Sequence, residues 1–240
     1  MKSFAITDVG LKRKDNQDYV YCTEEGIGHL PNLFVVADGM GGHNAGDTAS
    51  RTCVETLCDH IENSDLTTPV SILNEAVMAA HAKVLVLARS FPEFEGMGTT
   101  LVAATIIDNT LYTANIGDSR LYILRDSLRQ ITEDHSLVEE MVKSGEIEKN
   151  EVRSHPNRNI ITRALGIGKD IRPDYFEIEL EPDDIILMCS DGLTNMLEDS
   201  EIEYMIKKNR GNPDKAAMEL LTRANESGGR DNITILIVEA

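Results

Sequence analysis

Short apolar segments bounded by turn residues constrain the fold of this chain more than any other feature of its sequence. Nine segments of four to eight residues are predicted as β-strands, and several of them are rich in β-branched residues or alternate apolar and polar positions. They cover residues 4–7, 19–23, 33–37, 100–107, 111–116, 121–124, 175–180, 185–189 and 233–238. Asp108-Asn109 is a favourable turn between two of them. Because short turns join the middle strands, we expect these strands to pair antiparallel.

Three longer segments have the apolar periodicity of helices that cover a sheet. They span about residues 47–62, 69–90 and 213–226. Thr68 is placed to cap the second helix, and Pro69 fits its first turn. The two sequence-adjacent helices separate early strands from middle strands, so the chain does not repeat a βαβ unit. The pattern predicts an α+β protein whose helices cover sheet faces.

Composition limits the organisation and the partners of the protein. The 240 residues, 41% of them hydrophobic, predict one domain over residues 1–240. A net charge of −18 argues against binding to nucleic acid or to an anionic membrane. No signal peptide is evident and the apolar runs are short, so we expect a cytoplasmic protein without a membrane segment. The four cysteines form no CxxC pair and are expected to be reduced.

Four aspartates share one sequence context, the junction of an apolar strand and a small-residue loop. They are Asp38, Asp118, Asp191 and Asp231. Each alone is typical of a turn. If the strands share one end, however, the four carboxylates converge, and their repulsion must be relieved by protonation or by a hard cation.

A metal site is the functional interpretation of this pattern. Oxygen-only ligands favour Mg²⁺ or Mn²⁺ over zinc or copper. Two such ions bridged by a carboxylate would hold a water and lower its pKa to that of a useful nucleophile. Gly39 lets the backbone approach closely, so that its carbonyl is a further candidate ligand. Arg13 offers a planar fork for phosphate oxygens, and Asp18 is placed to orient a water. The alternative for Arg13 is a solvated turn, and the alternative for Asp18 is a cap or a turn at the start of its strand.

One polar, charged segment interrupts the run of strands. Residues 136–163 contain short helical patterns and the sequence His155-Pro156-Asn157. We interpret the segment as a flap beside a site; the alternative is a surface excursion.

The chain resembles, over essentially its whole length, the metal-dependent serine/threonine phosphatases of the protein phosphatase 2C family, bacterial type. The resemblance lies in an ordered series of motifs. The motifs are RKDNQD (13–18), VADGMGGH (36–43), MGTT (97–100), NIGDSR (115–120), DHS (134–136), ITRALG (161–166), CSDGL (189–193) and GRDNIT (229–234).

The resemblance implies an αββα sandwich, in which two antiparallel sheets face each other with helices outside, and an inserted flap. It also implies roles for the site residues. Asp38 would bridge two metal ions, and Gly39 would bind the second through its carbonyl. Asp191 and Asp231 would bind the first ion, and Asp118 a third. Arg13 would bind the phosphate, and Asp18 would hold water.

The implied activity is hydrolysis of phosphoserine and phosphothreonine in proteins by a water or hydroxide that bridges Mn²⁺ or Mg²⁺ ions. The expected partners are phosphoprotein substrates, including a receptor-like serine/threonine kinase that the phosphatase opposes. We expect the chain to act as a monomer.

Two departures from the family pattern affect these roles. Gln17 stands where many relatives have glutamate, so the water-holding role goes to Asp18. Met40 replaces the histidine that eukaryotic relatives place after Asp-Gly, and the general acid is left unassigned; the role is not moved to His43. His135 and His155 bracket the flap and are the histidines expected near the site.

Three rival functions stay open on sequence alone. The first is a nucleotide-binding enzyme that uses the loop 39–46, although this loop lacks a third glycine at the required spacing and any GKS or GKT. The second is a phosphoprotein-binding module without catalysis. The third is metal-dependent hydrolysis of another phosphoester.

Overall fold

A computed structural model describes residues 1–42 and 45–240, so His43, at the end of the VADGMGGH motif, lies outside the described residues. The described chain forms eleven strands. They are β1 (Lys2–Asp8), β2 (Asp18–Thr23), β3 (Leu33–Met40), β4 (Gly98–Thr99), β5 (Leu101–Ile107), β6 (Thr110–Ile116), β7 (Arg120–Leu124), β8 (Leu128–Gln130), β9 (Asp174–Glu179), β10 (Ile185–Cys189) and β11 (Ile233–Glu239).

These strands form two antiparallel sheets. The first has the order β1-β11-β10-β7-β8. The second has the order β2-β3-β5-β6-β9, with the short β4 paired to the end of β3. The turn predicted at Asp108-Asn109 joins β5 to β6, and both residues adopt positive φ, +47° and +65°. That pair of conformations suits a tight hairpin between twisted strands.

The two sheets face each other across a core of alternating strand residues. On β3, Phe34 and Val36 contribute to this inter-sheet core, whereas Val35 and Ala37 point to the opposite face. On β11, Leu236 and Val238 face the inter-sheet core in the same way. Because both faces of the central strands are covered, the sequences of these strands are nearly continuous apolar runs.

Helices cover both outer faces. The helices are α1 (Ala45–Glu62), α2 (Pro69–Ser90), α3 (Leu137–Ser144), α4 (Asp191–Thr194), α5 (Asp199–Lys208) and α6 (Pro213–Glu226). The helices α1 and α2 pack on the outer face of the second sheet, and α5 and α6 pack on the outer face of the first. The αββα sandwich is therefore confirmed.

Several local predictions need correction. The strands β4 and β8 and the helices α4 and α5 were not predicted, because each is short or carries a weak apolar pattern. Thr68 lies at the N-cap of α2, but its side chain makes no capping hydrogen bond with the described residues. The helix begins nonetheless, with Pro69 in its first turn.

The helix α2 is long and apolar enough to cross a membrane, the one such helix within residues 1–42 and 45–240. A core helix passes the same test, and residues Ile72, Leu73 and Val77 of α2 are buried against the second sheet and α1.

The predicted flap contains α3 and a 3₁₀ helix, Lys149–Ser154. Its base is a short antiparallel bridge between Ser136 and Ile161. The strandless segment continues beyond the predicted end at residue 163 and reaches β9 at Asp174. Within this extension Leu165 exchanges backbone hydrogen bonds with Thr99 of β4, at 2.9 and 3.0 Å. The flap is thus tied to the second sheet.

Truncation in the inter-sheet core is expected to destabilise the protein strongly. Leu236→Ala removes a fully buried side chain and should lower the free energy of unfolding by about 2–5 kcal/mol. Val86→Ala, on the exposed face of α2, is the matched control and should change it by less than about 0.5 kcal/mol. Urea denaturation of both variants measures the difference; equal effects would contradict the packing described.

Candidate active site

The fold brings the predicted aspartates to one place. Asp38 lies near the end of β3, Asp118 between β6 and β7, Asp191 at the first turn of α4, and Asp231 just before β11. The pKa of Asp38 is raised well above its usual value, first by burial and then by the charges of Asp18, Asp191, Asp118 and Asp231. The carboxylates are therefore close enough to oppose one another's ionisation.

Burial and neighbouring carboxylates also raise the pKa values of Asp191 and Asp118. Burial, and then the charge of Asp231, raises the pKa of Asp191 to about 6. Burial, and then the charges of Asp191 and Asp134, raises the pKa of Asp118 well above its usual value. Arg120 opposes this effect, since its guanidinium lowers the pKa of both Asp118 and Asp191. Without a cation, the ionised cluster is a source of repulsion.

Asp18 has one carboxylate oxygen that is bound by protein groups and one that is not, within the described part of the chain. Its Oδ2 accepts hydrogen bonds from the hydroxyls of Ser190 (2.7 Å) and Thr234 (2.6 Å). Its Oδ1 is buried and has no hydrogen-bond partner among the described residues. Burial raises the pKa of Asp18 to about 7 despite those two hydroxyls. A buried carboxylate oxygen of this kind requires a donor such as an ordered water. The residues present therefore fit a hydrated cation site.

The backbone of Asp38 is fixed from the neighbouring strands. The amide of Asp38 donates to Thr100 Oγ1 at 2.9 Å, and its carbonyl accepts from the amide of Thr100 at 2.9 Å. Thr99 Oγ1 donates to the same carbonyl at 3.0 Å. Since Asp38 also lies opposite Asp18 in the β2–β3 pairing, the two carboxylates are held in a fixed relation.

Gly39 is required by close packing. A Cβ at this position would lie 2.0 Å from the carbonyl oxygen of Gly46 and 2.6 Å from that of Gln17. The amide of Gly39 also donates to the Gln17 carbonyl at 3.0 Å. The start of α1 thus packs directly onto the end of β3.

Arg13 reaches the cluster from the loop before β2. Its guanidinium donates to Asp231 Oδ2 at 2.7 Å, and about half of its side chain is exposed. The hydrogen bond with Asp231 raises the pKa of Arg13, so the group is cationic. Asn195 Nδ2 donates to Asp191 Oδ2 at 2.9 Å.

No group of three or more His, Cys, Asp or Glu side chains within residues 1–42 and 45–240 encloses one ion by itself.

The histidines and Met40 differ in their relation to the site. His135 is buried and hydrogen-bonded to Gly117, beside Asp118. His155 lies in the flap, where its Nδ1 accepts from the amide of Asn157. Met40 pairs with Gly98 of β4.

Sequence reasoning did not assign functions to the residues that hold the cluster. Ser190, Thr234, Thr100, Asn195 and Arg120 all orient or neutralise a predicted site residue. All but Asn195 lie inside the sequence motifs, which was a usable signal; their partners are distant in sequence, which the motifs do not reveal.

Comparison with known proteins identifies the family. The family model for protein phosphatase 2C matches residues 12–223. The chain belongs to the protein phosphatase 2C family. The serine/threonine phosphatase stp of Listeria innocua is 44% identical over 212 residues, which cover 86% of this chain and 84% of that protein.

Solved structures agree with this assignment. The serine/threonine phosphatase PstP/Ppp of Mycobacterium tuberculosis superposes with a TM-score of 0.89 at 35% identity, covering 99% of this chain and 97% of the other. The catalytic domain of PstP in complex with two manganese ions gives a TM-score of 0.87 at 33% identity, covering 99% and 97%. This phosphatase is thus a metal-dependent hydrolase with the fold of bacterial serine/threonine phosphatases.

The raised pKa values predict how pH affects the stability of the metal-free phosphatase. Asp18 and Asp191 have folded-state pKa values of about 7 and about 6, above the unfolded value of 3.8. The folded state therefore binds more protons, and the stability they contribute below about pH 4 is lost as the pH rises to about 7. In EDTA, the melting temperature should fall between pH 5 and pH 8.

Asp191→Asn should flatten this dependence, because the amide does not titrate. Mn²⁺ should raise the melting temperature most at pH 8, where the carboxylates are ionised. Thermal melts of wild type and variant, with and without Mn²⁺, measure both effects; the same pH slope in both proteins would contradict the assigned cause.

Proposed function

We propose that this phosphatase hydrolyses phosphoserine and phosphothreonine in proteins at the aspartate cluster. The buried, unpartnered Oδ1 of Asp18, beside converging carboxylates and a half-exposed arginine, is the observation that carries this proposal. It favours hydrolysis by an oriented water over mere binding, since a binding module needs the cation and arginine but no such water acceptor.

The carboxylates would hold two Mn²⁺ or Mg²⁺ ions, with Asp38 shared between them. Asp191 and Asp231 would bind the first ion, and the Gly39 carbonyl the second. Asp118 would bind a third ion together with Asp191. The ions would supply an acidified water and offset the charge on the phosphate.

The chain's own groups would position the reactants. Asp18 Oδ1 would accept a hydrogen bond from the attacking water, since its Oδ2 is already engaged by Ser190 and Thr234. Arg13 now donates to Asp231, and on substrate binding its guanidinium would donate to the phosphate oxygens. There it would stabilise the charge that develops during the reaction. Its exposure leaves it accessible to a protein-bound phosphate.

We further propose that the phosphatase is cytoplasmic and monomeric, and that it opposes a receptor-like serine/threonine kinase. The similarity to bacterial serine/threonine phosphatases supports this role. The net charge of −18 argues against binding to nucleic acids or anionic membranes, because like charges repel.

Removing one charge from the cluster is expected to abolish turnover. Asp38→Asn and Asp191→Asn should each reduce phosphate release from a phosphothreonine peptide in Mn²⁺ by at least about 100-fold, because both residues would hold metal. Asp59→Asn, an exposed aspartate on α1, is the control and should behave as wild type. EDTA should stop wild-type release. Near-wild-type turnover by either site variant, with unchanged Mn²⁺ content, would remove that residue from the mechanism.

Arg13→Ala is expected to lower kcat/KM by roughly 10–100-fold, the effect of losing a charged hydrogen bond to the phosphate. Lys14→Ala, at the exposed next position, is the matched control and should change kcat/KM less than about twofold. Steady-state kinetics on the same peptide distinguish them. Similar losses in both variants would indicate a diffuse charge effect instead.

A further inference from the structure

His135 joins the flap to the loop that carries Asp118. Its backbone amide donates to the Gly117 carbonyl at 2.9 Å, and the Gly117 amide donates back to His135 Nδ1 at 3.1 Å. On the flap side, the His135 carbonyl accepts from the amide of Thr162 at 2.8 Å. The side chain is 4% exposed. One residue therefore contacts both the Asp118 loop and the base of the flap.

The imidazole ring also contacts the first residue of β9, where the strandless segment after the flap ends. His135 Nε2 lies 2.9 Å from Asp174 Oδ2, at the start of β9. Because Nδ1 accepts from Gly117, the neutral ring carries its proton on Nε2 and donates it to Asp174. Arg163 Nη1 donates to the other oxygen of Asp174 at 3.3 Å and lies 3.2 Å from His135 Nε2, so the guanidinium and the ring share the Asp174 carboxylate. Both nitrogens of the ring are thus used, which fixes its orientation.

Gly117 packs against Thr100, the residue that holds the backbone of Asp38. It adopts a φ of +104°, and a Cβ there would lie 2.6 Å from the Thr100 side chain. Thr100 Oγ1 is the atom that accepts from the amide of Asp38, and it also lies 2.7 Å from Ser119 Oγ. The loop before Asp118 therefore packs against the residue that fixes Asp38.

We propose that His135 is a positioning residue for metal binding: its Nδ1, by holding the Gly117 amide, sets the place of the Asp118 carboxylate. The inference rests on the proposed role of Asp118 as a metal ligand. Loss of an oriented neighbour of this kind typically weakens metal binding by 10–100-fold.

Two substitutions of His135 test the hydrogen bonds of its two ring nitrogens separately. His135→Asn places an amide oxygen near the position of Nδ1 and can still accept from Gly117. His135→Gln reaches toward Asp174 but leaves the Gly117 amide unpaired. We expect the dissociation constant of the Asp118-dependent Mn²⁺ site to rise about tenfold in the Gln variant and less than about threefold in the Asn variant.

The chain supplies a matched control in His81. This histidine is also 4% exposed, and its Nδ1 accepts from a glycine amide, that of Gly166, at the same 3.1 Å. His81→Gln breaks an equivalent bond away from Asp118. It should lower the melting temperature of the metal-free protein about as much as His135→Gln does, and leave Mn²⁺ affinity unchanged.

The experiment is calorimetric titration of the metal-free full chain with Mn²⁺, with melting temperatures recorded in EDTA. Asp118→Asn should bind fewer Mn²⁺ ions than wild type, and the double variant His135→Gln/Asp118→Asn should bind no more weakly than Asp118→Asn alone. Wild-type affinity in His135→Gln, equal weakening by the Asn and Gln variants, or weakening that persists in the Asp118→Asn background would overturn the proposal. Unchanged stoichiometry in Asp118→Asn would also overturn it.

Phosphate release from a phosphothreonine peptide, measured on the same wild-type sample, tests the proposed function separately. Absence of release in Mn²⁺ would reject that function and leave the titration results to decide the role of His135.

Discussion

The repulsion among clustered carboxylates, of which Asp18 and Asp118 are buried, is the constraint around which this structure is organised. Asp18, Asp38, Asp118 and Asp191 all have raised pKa values because burial and neighbouring charges disfavour their ionised forms. A flexible loop cluster would relieve this strain by moving its carboxylates apart. Here the backbone prevents that movement, so the repulsion destabilises the metal-free folded state. A bound cation relieves the repulsion, and this relief adds to the free energy of cation binding.

The sandwich provides the rigidity that this arrangement needs. Asp18 and Asp38 lie opposite each other on paired strands of the second sheet. Thr234 of β11 and Ser190, directly after β10, donate to Asp18 from the side of the first sheet. The cluster is therefore held by both sheets at once. Because the inter-sheet core is closely packed, displacement of either sheet would disturb the site. Stability and metal binding are expected to be linked through this contact.

The sequence predicted the regular elements well where the apolar pattern was long. Strand β10 and helices α2 and α6 have the predicted bounds, because β10 is a continuous apolar run and the two helices carry a clear apolar periodicity. It failed for β8 and α5, whose patterns are short, and for the cap at Thr68, where Pro69 starts the helix without a side-chain bond. The strandless segment that contains the predicted flap, residues 136–163, extends to β9, because Leu165 pairs with Thr99 of β4 rather than with its sequence neighbours.

The amino-acid sequence alone was enough to predict the longer strands and helices, the aspartates at strand ends and, through its ordered motifs, the family. The partners of those aspartates became visible only in the folded structure: hydroxyls of Ser190 and Thr234 on Asp18, Thr100 on Asp38, and the ring of His135 on the loop of Asp118. The physical reason is that hydrogen bonds between residues far apart in the chain leave no periodicity in the sequence. Their geometry exists only once the two sheets have packed together.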